Sequence, residues 1–331
     1  MSHPEDSWNG RGVSLAHGKQ FPIILMLLLI FSSIGCLREN DEDGTGDENE
    51  NGMGDPFPRA NIPILGNEVD TFLYVLQNID VDAIIASDYD LVIMDYSTDG
   101  TDEGAFTRNE IQSIRESGKI VVSYLSIGEA EEYRYYWEEN WTVGDPEFII
   151  EENPDWEGNY KVEYWSQGWQ DIIISGNDSY LGRILNAGFG GVYLDIIDAY
   201  EFFEEEGREG AAREMVDFVG NLTNASRQID PDFLVIPQNG EGLLVHQEYL
   251  TTISGQGKED LYFDDDDRQS SEETSITSSL LENVTKTGKF VLITDYPTTS
   301  NNIVTFHTEA ANDGFLAFSG NRELDRIPEI H

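Results

Sequence analysis

The chain has 331 residues, of which 39% are hydrophobic and 11% aromatic, enough for a sizeable core. Its 64 acidic and 19 basic residues give a net charge of −45, a field that repels phosphate backbones and anionic head groups and excludes nucleic acid as a partner. Dispersed acid with few lysines also fits a protein that stays soluble in high salt, where screening shortens the repulsion.

Residues 1–35 read as a secretory leader. Lys19 precedes an apolar run from Phe21 to Phe31, too short to span a bilayer comfortably, and small residues Ser33-Ile34-Gly35 come just before Cys36. Cys36 is the single cysteine, so no intramolecular disulfide can form, and its place after small residues is that of a lipobox. The expectation is an exported chain, lipidated at Cys36 and held to the outer face of a membrane. Residues 36–56 then form an acidic tether: Glu39 to Asp55 holds eight acids, no bases and almost nothing to bury.

From residue 57 onward the pattern becomes that of an α/β domain. Eight short apolar runs predict strands: Phe72–Leu76, Leu91–Asp95, Ile120–Leu125, Gly191–Asp195, Phe233–Ile236, Thr251–Ser254, Phe290–Ile293 and Phe315–Phe318. Helical patterns lie between them, at Asn109–Glu116, Leu181–Ala187, Arg208–Arg227 and Glu272–Lys286. Eight such units predict a (β/α)8 TIM barrel. A long insertion after the third strand, Gly128 to Ser175, carries five of the six tryptophans and should lie over the active-site face.

Carboxylates recur at or just past the C-terminal ends of five runs. Asp95 ends the second, Glu129 follows the third, Asp195 ends the fourth with Asp198 close behind, Glu259-Asp260 follows the sixth, and Asp295 ends the seventh. Asn239 follows the fifth. In a barrel these positions converge on one mouth. Paired carboxylates beside aromatic rings are the equipment of glycosidic bond cleavage, where one acts as acid and the other as nucleophile or base. No zinc-protease, phosphate-loop or serine-hydrolase motif occurs, and His246, His307 and His331 are too few past the leader for a histidine-rich metal centre. Asp264 to Asp267 reads as a solvated acidic loop. No cofactor or metal is expected, and no protein partner can be inferred.

Six segments occur in a telling order: Phe72-Leu-Tyr-Val-Leu-Gln77, Tyr89-Asp-Leu-Val-Ile-Met-Asp-Tyr96, Val122-Ser-Tyr-Leu-Ser-Ile-Gly-Glu129, Tyr164-Trp165 with Trp169, Gly191-Val-Tyr-Leu-Asp195 with Asp198, and Gly257-Lys-Glu-Asp260. Together they resemble glycoside hydrolase family 114, the endo-α-1,4-polygalactosaminidase-like barrels, from about Ala60 to Leu324. The resemblance implies hydrolysis of galactosamine-rich polysaccharide, with Asp195 as nucleophile and Glu259 as acid/base. Asp260, next in sequence, could exchange with Glu259 by a shift of loop register. Asp95, Tyr124, Glu129, Trp165, Asp198, Asn239 and Asp295 are then expected to bind substrate. A non-catalytic carbohydrate-binding surface lipoprotein is the alternative, and the spacing of Asp195 and Glu259 separates the two.

Overall fold

The computed structural model describes residues 59–328 of the chain. The leader, Cys36, the acidic tether and His331 lie outside them. Among the described residues, eight parallel strands form the barrel: β1 (Phe72–Val75), β2 (Leu91–Met94), β3 (Ile120–Ser126), β4 (Gly191–Asp195), β5 (Leu234–Pro237), β6 (Gly255–Glu259), β7 (Phe290–Asp295) and β8 (Leu316–Ser319). Most are buried along their whole length, which is why they read as continuous apolar runs and not as alternating ones. One ladder runs β5-β4-β3-β2-β1 and a second runs β6-β7-β8. The two meet where Ser254 N–H reaches the Val235 carbonyl (2.7 Å) and Asn239 N–H the Gly257 carbonyl (3.0 Å). On the other side Phe72 packs on Phe318 with ring centroids 5.6 Å apart, and the Leu324 carbonyl accepts from Leu76 N–H (2.8 Å). These seams complete the ring.

The helices α1 (Val81–Ala86), α2 (Arg108–Glu116), α3 (Gln167–Ile174), α4 (Tyr180–Ala187), α5 (Ala199–Glu205), α6 (Ala211–Ile229), α7 (Gln247–Thr252), α8 (Ser271–Lys286) and α9 (Ser300–Asp313) alternate with the strands. Their ends follow local chemistry. Thr107 and Glu110 form a reciprocal capping box at the start of α2. Gly188 and Gly314 end α4 and α9 in the left-handed conformation. The helix predicted over Arg208–Arg227 is α6, which begins at Ala211; α5 lies before it and is followed by Gly207, whose φ of +92° suits glycine.

The sixth strand is a correction. The apolar Thr251–Ser254 was expected to be extended, but α7 takes Gln247–Thr252 and the strand is Gly255-Gln-Gly-Lys-Glu259. Its bulk comes from its neighbours. A Cβ on Gly255 would lie 2.4 Å from the Phe290 ring, and one on Gly257 would lie 2.2 Å from the Tyr193 hydroxyl. Those rings fill the space that side chains of β6 would otherwise occupy.

The insertion after β3 folds into a small antiparallel sheet. Glu129–Glu131 and Ile149–Glu152 both pair with Asn159–Val162. Most of its aromatic residues pack into a core of their own, with Tyr133 and Trp156 left exposed. Trp169 is fully buried, packs near Tyr136 (5.5 Å between centroids) and donates its indole N–H to the Ile127 carbonyl (2.8 Å). Trp141 meets Phe148 at 5.6 Å, and Trp137 stacks on Tyr160 at 4.8 Å. These rings satisfy the packing needs of a long excursion and do not form one open platform.

Candidate active site

The C-terminal ends of β3 to β7 converge on one hydrogen-bonded chain of side chains. Tyr124 of β3 donates its hydroxyl to Asp195 Oδ2 (2.7 Å). Asp195, the last residue of β4, accepts at Oδ1 from Gln238 Nε2 (3.1 Å). Gln238, just past β5, gives a second bond from the same nitrogen to Glu259 Oε2 (2.8 Å). Glu259, the last residue of β6, accepts at Oε1 from the Tyr296 hydroxyl, just past β7. Because both bonds start from one nitrogen, their lengths of 3.1 and 2.8 Å keep the two bonded oxygens within about 6 Å of each other.

The two carboxyl groups differ in acidity. Burial pushes Asp195 up to about 6, while the Tyr124 hydroxyl and the Ile196 backbone N–H hold it down. Burial pushes Glu259 further, to about 8, and the negative charge of Asp195 adds to the effect. Near neutrality Asp195 is therefore ionised and Glu259 protonated. A base or nucleophile faces an acid across a short gap.

A profile of glycoside-hydrolase family GH114 matches residues 59–330. The chain belongs to that family. An uncharacterised protein of Methanocaldococcus jannaschii, MJ1477, is 39% identical over 269 residues, 77% of each chain. One from Thermotoga maritima is 35% identical over 268 residues, 77% of this chain and 82% of its own. Among solved structures, the glycoside hydrolase domain of PelA from Pseudomonas aeruginosa superposes with a TM-score of 0.60 at 15% identity, over 78% of this chain and 96% of that one. At that identity the likeness shows the fold alone. This GH114 chain is thus a glycosidase built on a TIM barrel.

The other expected residues of this GH114 domain fare differently. Tyr124 joins the chain at Asp195. Glu129 is buried near Asp195, bonded at Oε1 by Asn153 (2.8 Å), and burial raises it to about 7. Asp198 lies half-buried beside Glu201 and is raised to about 6, mainly by burial. Asp260 turns away from the pair, with φ +54°, to a two-pronged bond with Arg322 (3.0 and 3.1 Å). That leaves Glu259 opposite Asp195.

The other four expected residues are each engaged by groups within the domain. Asp295 is fully buried, and its carboxylate accepts from the backbone N–H groups of Leu261, Tyr262 and Phe263 (each 2.9 Å). It shapes the loop after β6, because both its oxygens are already taken. Asp95 is neutralised by buried Arg134 (2.8 Å), which also pairs with Glu131 (2.6 Å). Asn239 Oδ1 accepts from the Glu259 backbone N–H (3.2 Å) and Lys258 Nζ (3.3 Å), so it anchors β6. Trp165 has the Arg208 guanidinium 3.6 Å from its ring centre and lies perpendicular to Phe203 (4.6 Å) and Tyr164 (5.0 Å). Its ring thus packs on Phe203 of α5 and under Arg208 of the turn that follows α5.

Gln238 and Tyr296 stand among the polar residues that follow strand ends, yet neither they nor Arg134 were among the expected site residues. For the first two a signal existed. Side chains two apart share one face of a strand, so Gln238 aligns with Ile236 as Asp195 aligns with Tyr193, and Tyr296 with Thr294 as Glu259 with Gly257. Reading that alternation past the strand ends places both at the mouth. Arg134 carried no comparable signal, since its partner Asp95 is set by the fold of the insertion.

Proposed function

We propose that this glycosidase is a retaining, endo-acting enzyme for α-1,4-linked galactosamine-containing polysaccharide. One observation carries the mechanism: Asp195 and Glu259 both bond one nitrogen of Gln238. Oxygens held within about 6 Å of each other suit double displacement, which needs about 5–5.5 Å, whereas direct attack by water needs roughly 6.5–9.5 Å between the carboxyl groups. Ionised Asp195 attacks the anomeric carbon while Glu259 gives its proton to the departing oxygen. Glu259, now a base, takes a proton from water, which displaces Asp195 and restores both groups. The short spacing and the unlike acidities count against the non-catalytic carbohydrate-binding reading.

The choice of sugar rests on the family resemblance and on charge. Glu129 and Asp198 flank Asp195, and Glu201 and Glu241 lie beyond, with Lys161 near Glu129 and Lys258 near Asp198. Such a rim attracts a cationic amino sugar. The test is hydrolysis of a polysaccharide panel that includes galactosaminogalactan, with the first-formed anomer read by NMR. An inverted first product refutes retention, and turnover only of neutral polymers refutes the amino-sugar assignment. Asp195→Asn and Glu259→Gln should each lower kcat by about 10²–10⁴-fold or more.

We also propose export and lipid attachment at Cys36, on the leader-like residues before it. Cys36→Ser should move the protein out of the membrane fraction with its activity intact. Unchanged retention in that fraction overturns the anchor.

A further inference from the structure

We propose that Gln238 is a positioning residue for the double displacement: its one amide nitrogen spans the gap between Asp195 and Glu259 and fixes how far apart they stand. The inference rests on the retaining reading above and extends it to a residue outside the reacting pair.

The backbone places Gln238 between the two strands that matter. Its N–H donates to the Leu194 carbonyl of β4 (2.7 Å), and it bridges to Gly257 of β6. The residues it touches thus lie next to Asp195 on one side and two before Glu259 on the other. The side chain is 2% exposed and spends its Nε2 on both carboxyl groups. Its Oε1 is buried with no hydrogen-bond partner. An unpaired buried carbonyl weakens a fold. The side chain is therefore poorly explained as a stabilising group and well explained as a donor aimed at the pair.

The chemistry of the site selects this residue type. A side chain bridging two acids needs two N–H bonds on one atom. Lysine and arginine have them but carry a charge, which would favour ionisation of both carboxyls and strip Glu259 of the proton it must deliver. A carboxylate would repel both partners. Asparagine is one methylene shorter and could not span the gap from the same backbone position. Glutamine donates twice, stays neutral and reaches.

Other charges act on the pair from the elements packed around it. Glu129, Glu131 and Asp198 face Asp195. Asp260 and Lys258 act on Glu259 by charge alone, and Glu259 also meets the Tyr296 hydroxyl, while Tyr74 and Tyr193 lie near both. All of these stay in place when Gln238 alone is changed.

The experiment titrates the carboxyl carbons of Asp195 and Glu259 by NMR in the full chain, for wild type, Gln238→Leu and Gln238→Glu, without substrate. Loss of the donor in Gln238→Leu should raise the Asp195 midpoint by about one pH unit. In Gln238→Glu, which keeps the volume if the leucine variant misfolds, the added carboxyl should raise both midpoints. On a hydrolysed substrate, kcat of Gln238→Leu should fall about 100-fold through misplacement of the pair, with KM within a few-fold. Unmoved midpoints overturn the proposal, even if kcat falls, because Gln238 would then only pack. An inverted product with moved midpoints would strike the retaining reading and still support the bridge.

Discussion

Replacing Glu259 with glutamine should make the protein more stable at alkaline pH and leave it nearly unchanged in acid. The Glu259 carboxyl is raised from its ordinary 4.5 to about 8 by burial and by Asp195. A folded-state value above the unfolded one means that the folded chain holds the proton more tightly. The stability tied to that proton is whole below about pH 4.5 and drains away as pH rises through about 8. At 1.36 kcal/mol per unit the full shift corresponds to roughly 5 kcal/mol. The site opens to solvent at the barrel mouth and the burden is shared with Asp195, so a gain of about 2 kcal/mol is the working figure. For a domain of this size that raises Tm by about 4–8 °C at pH 9. Glutamine has the same shape and carries no charge to desolvate. Thermal unfolding of both proteins from pH 5 to pH 9 provides the assay. A Tm difference that stays constant across that range would refute the reasoning, since it would show that Glu259 ionises as freely in the folded chain as in the unfolded one.

Activity itself should follow a bell, with kcat/KM rising as Asp195 ionises through about pH 6 and falling as Glu259 loses its proton through about pH 8; a profile still flat at pH 9 contradicts the assigned roles. Arg134→Met should destabilise the domain by about 3–5 kcal/mol, because it leaves the buried acids Asp95 and Glu131 without their cation, and denaturant unfolding would show it. Asp295→Asn turns an acceptor for three backbone N–H groups into one with a single accepting oxygen and should cost about 1–3 kcal/mol. If Asp295 instead bound substrate, that variant would raise KM without lowering stability.

Much of the architecture was legible because it rests on short-range pattern. Seven of the eight strands lie within two residues of the apolar runs that announce them, since a strand buried on both faces must be apolar throughout. The sixth was not, because a glycine-rich strand is apolar only through the rings beside it. The carboxyl-bearing strand ends were legible as a set, but sorting the set was not. Asp95 and Asp295 look like Asp195 in sequence, each closing a β-rich run, yet one is paired with Arg134 and the other holds three backbone N–H groups.

The amino-acid sequence by itself therefore determined the barrel, the insertion after its third strand and the crowding of acids at one mouth, because periodicity and strand-end position are properties of neighbouring residues. Which acids face each other was decided only by the tertiary structure. Asp195 and Glu259 come from strands far apart in the chain, and they meet through Gln238, which a third strand carries between them. The tryptophans of the insertion were likewise sorted by packing, because a ring can stack on a sugar only if no core needs it first. Contacts of this kind depend on closure of the ring, and no local pattern encodes them.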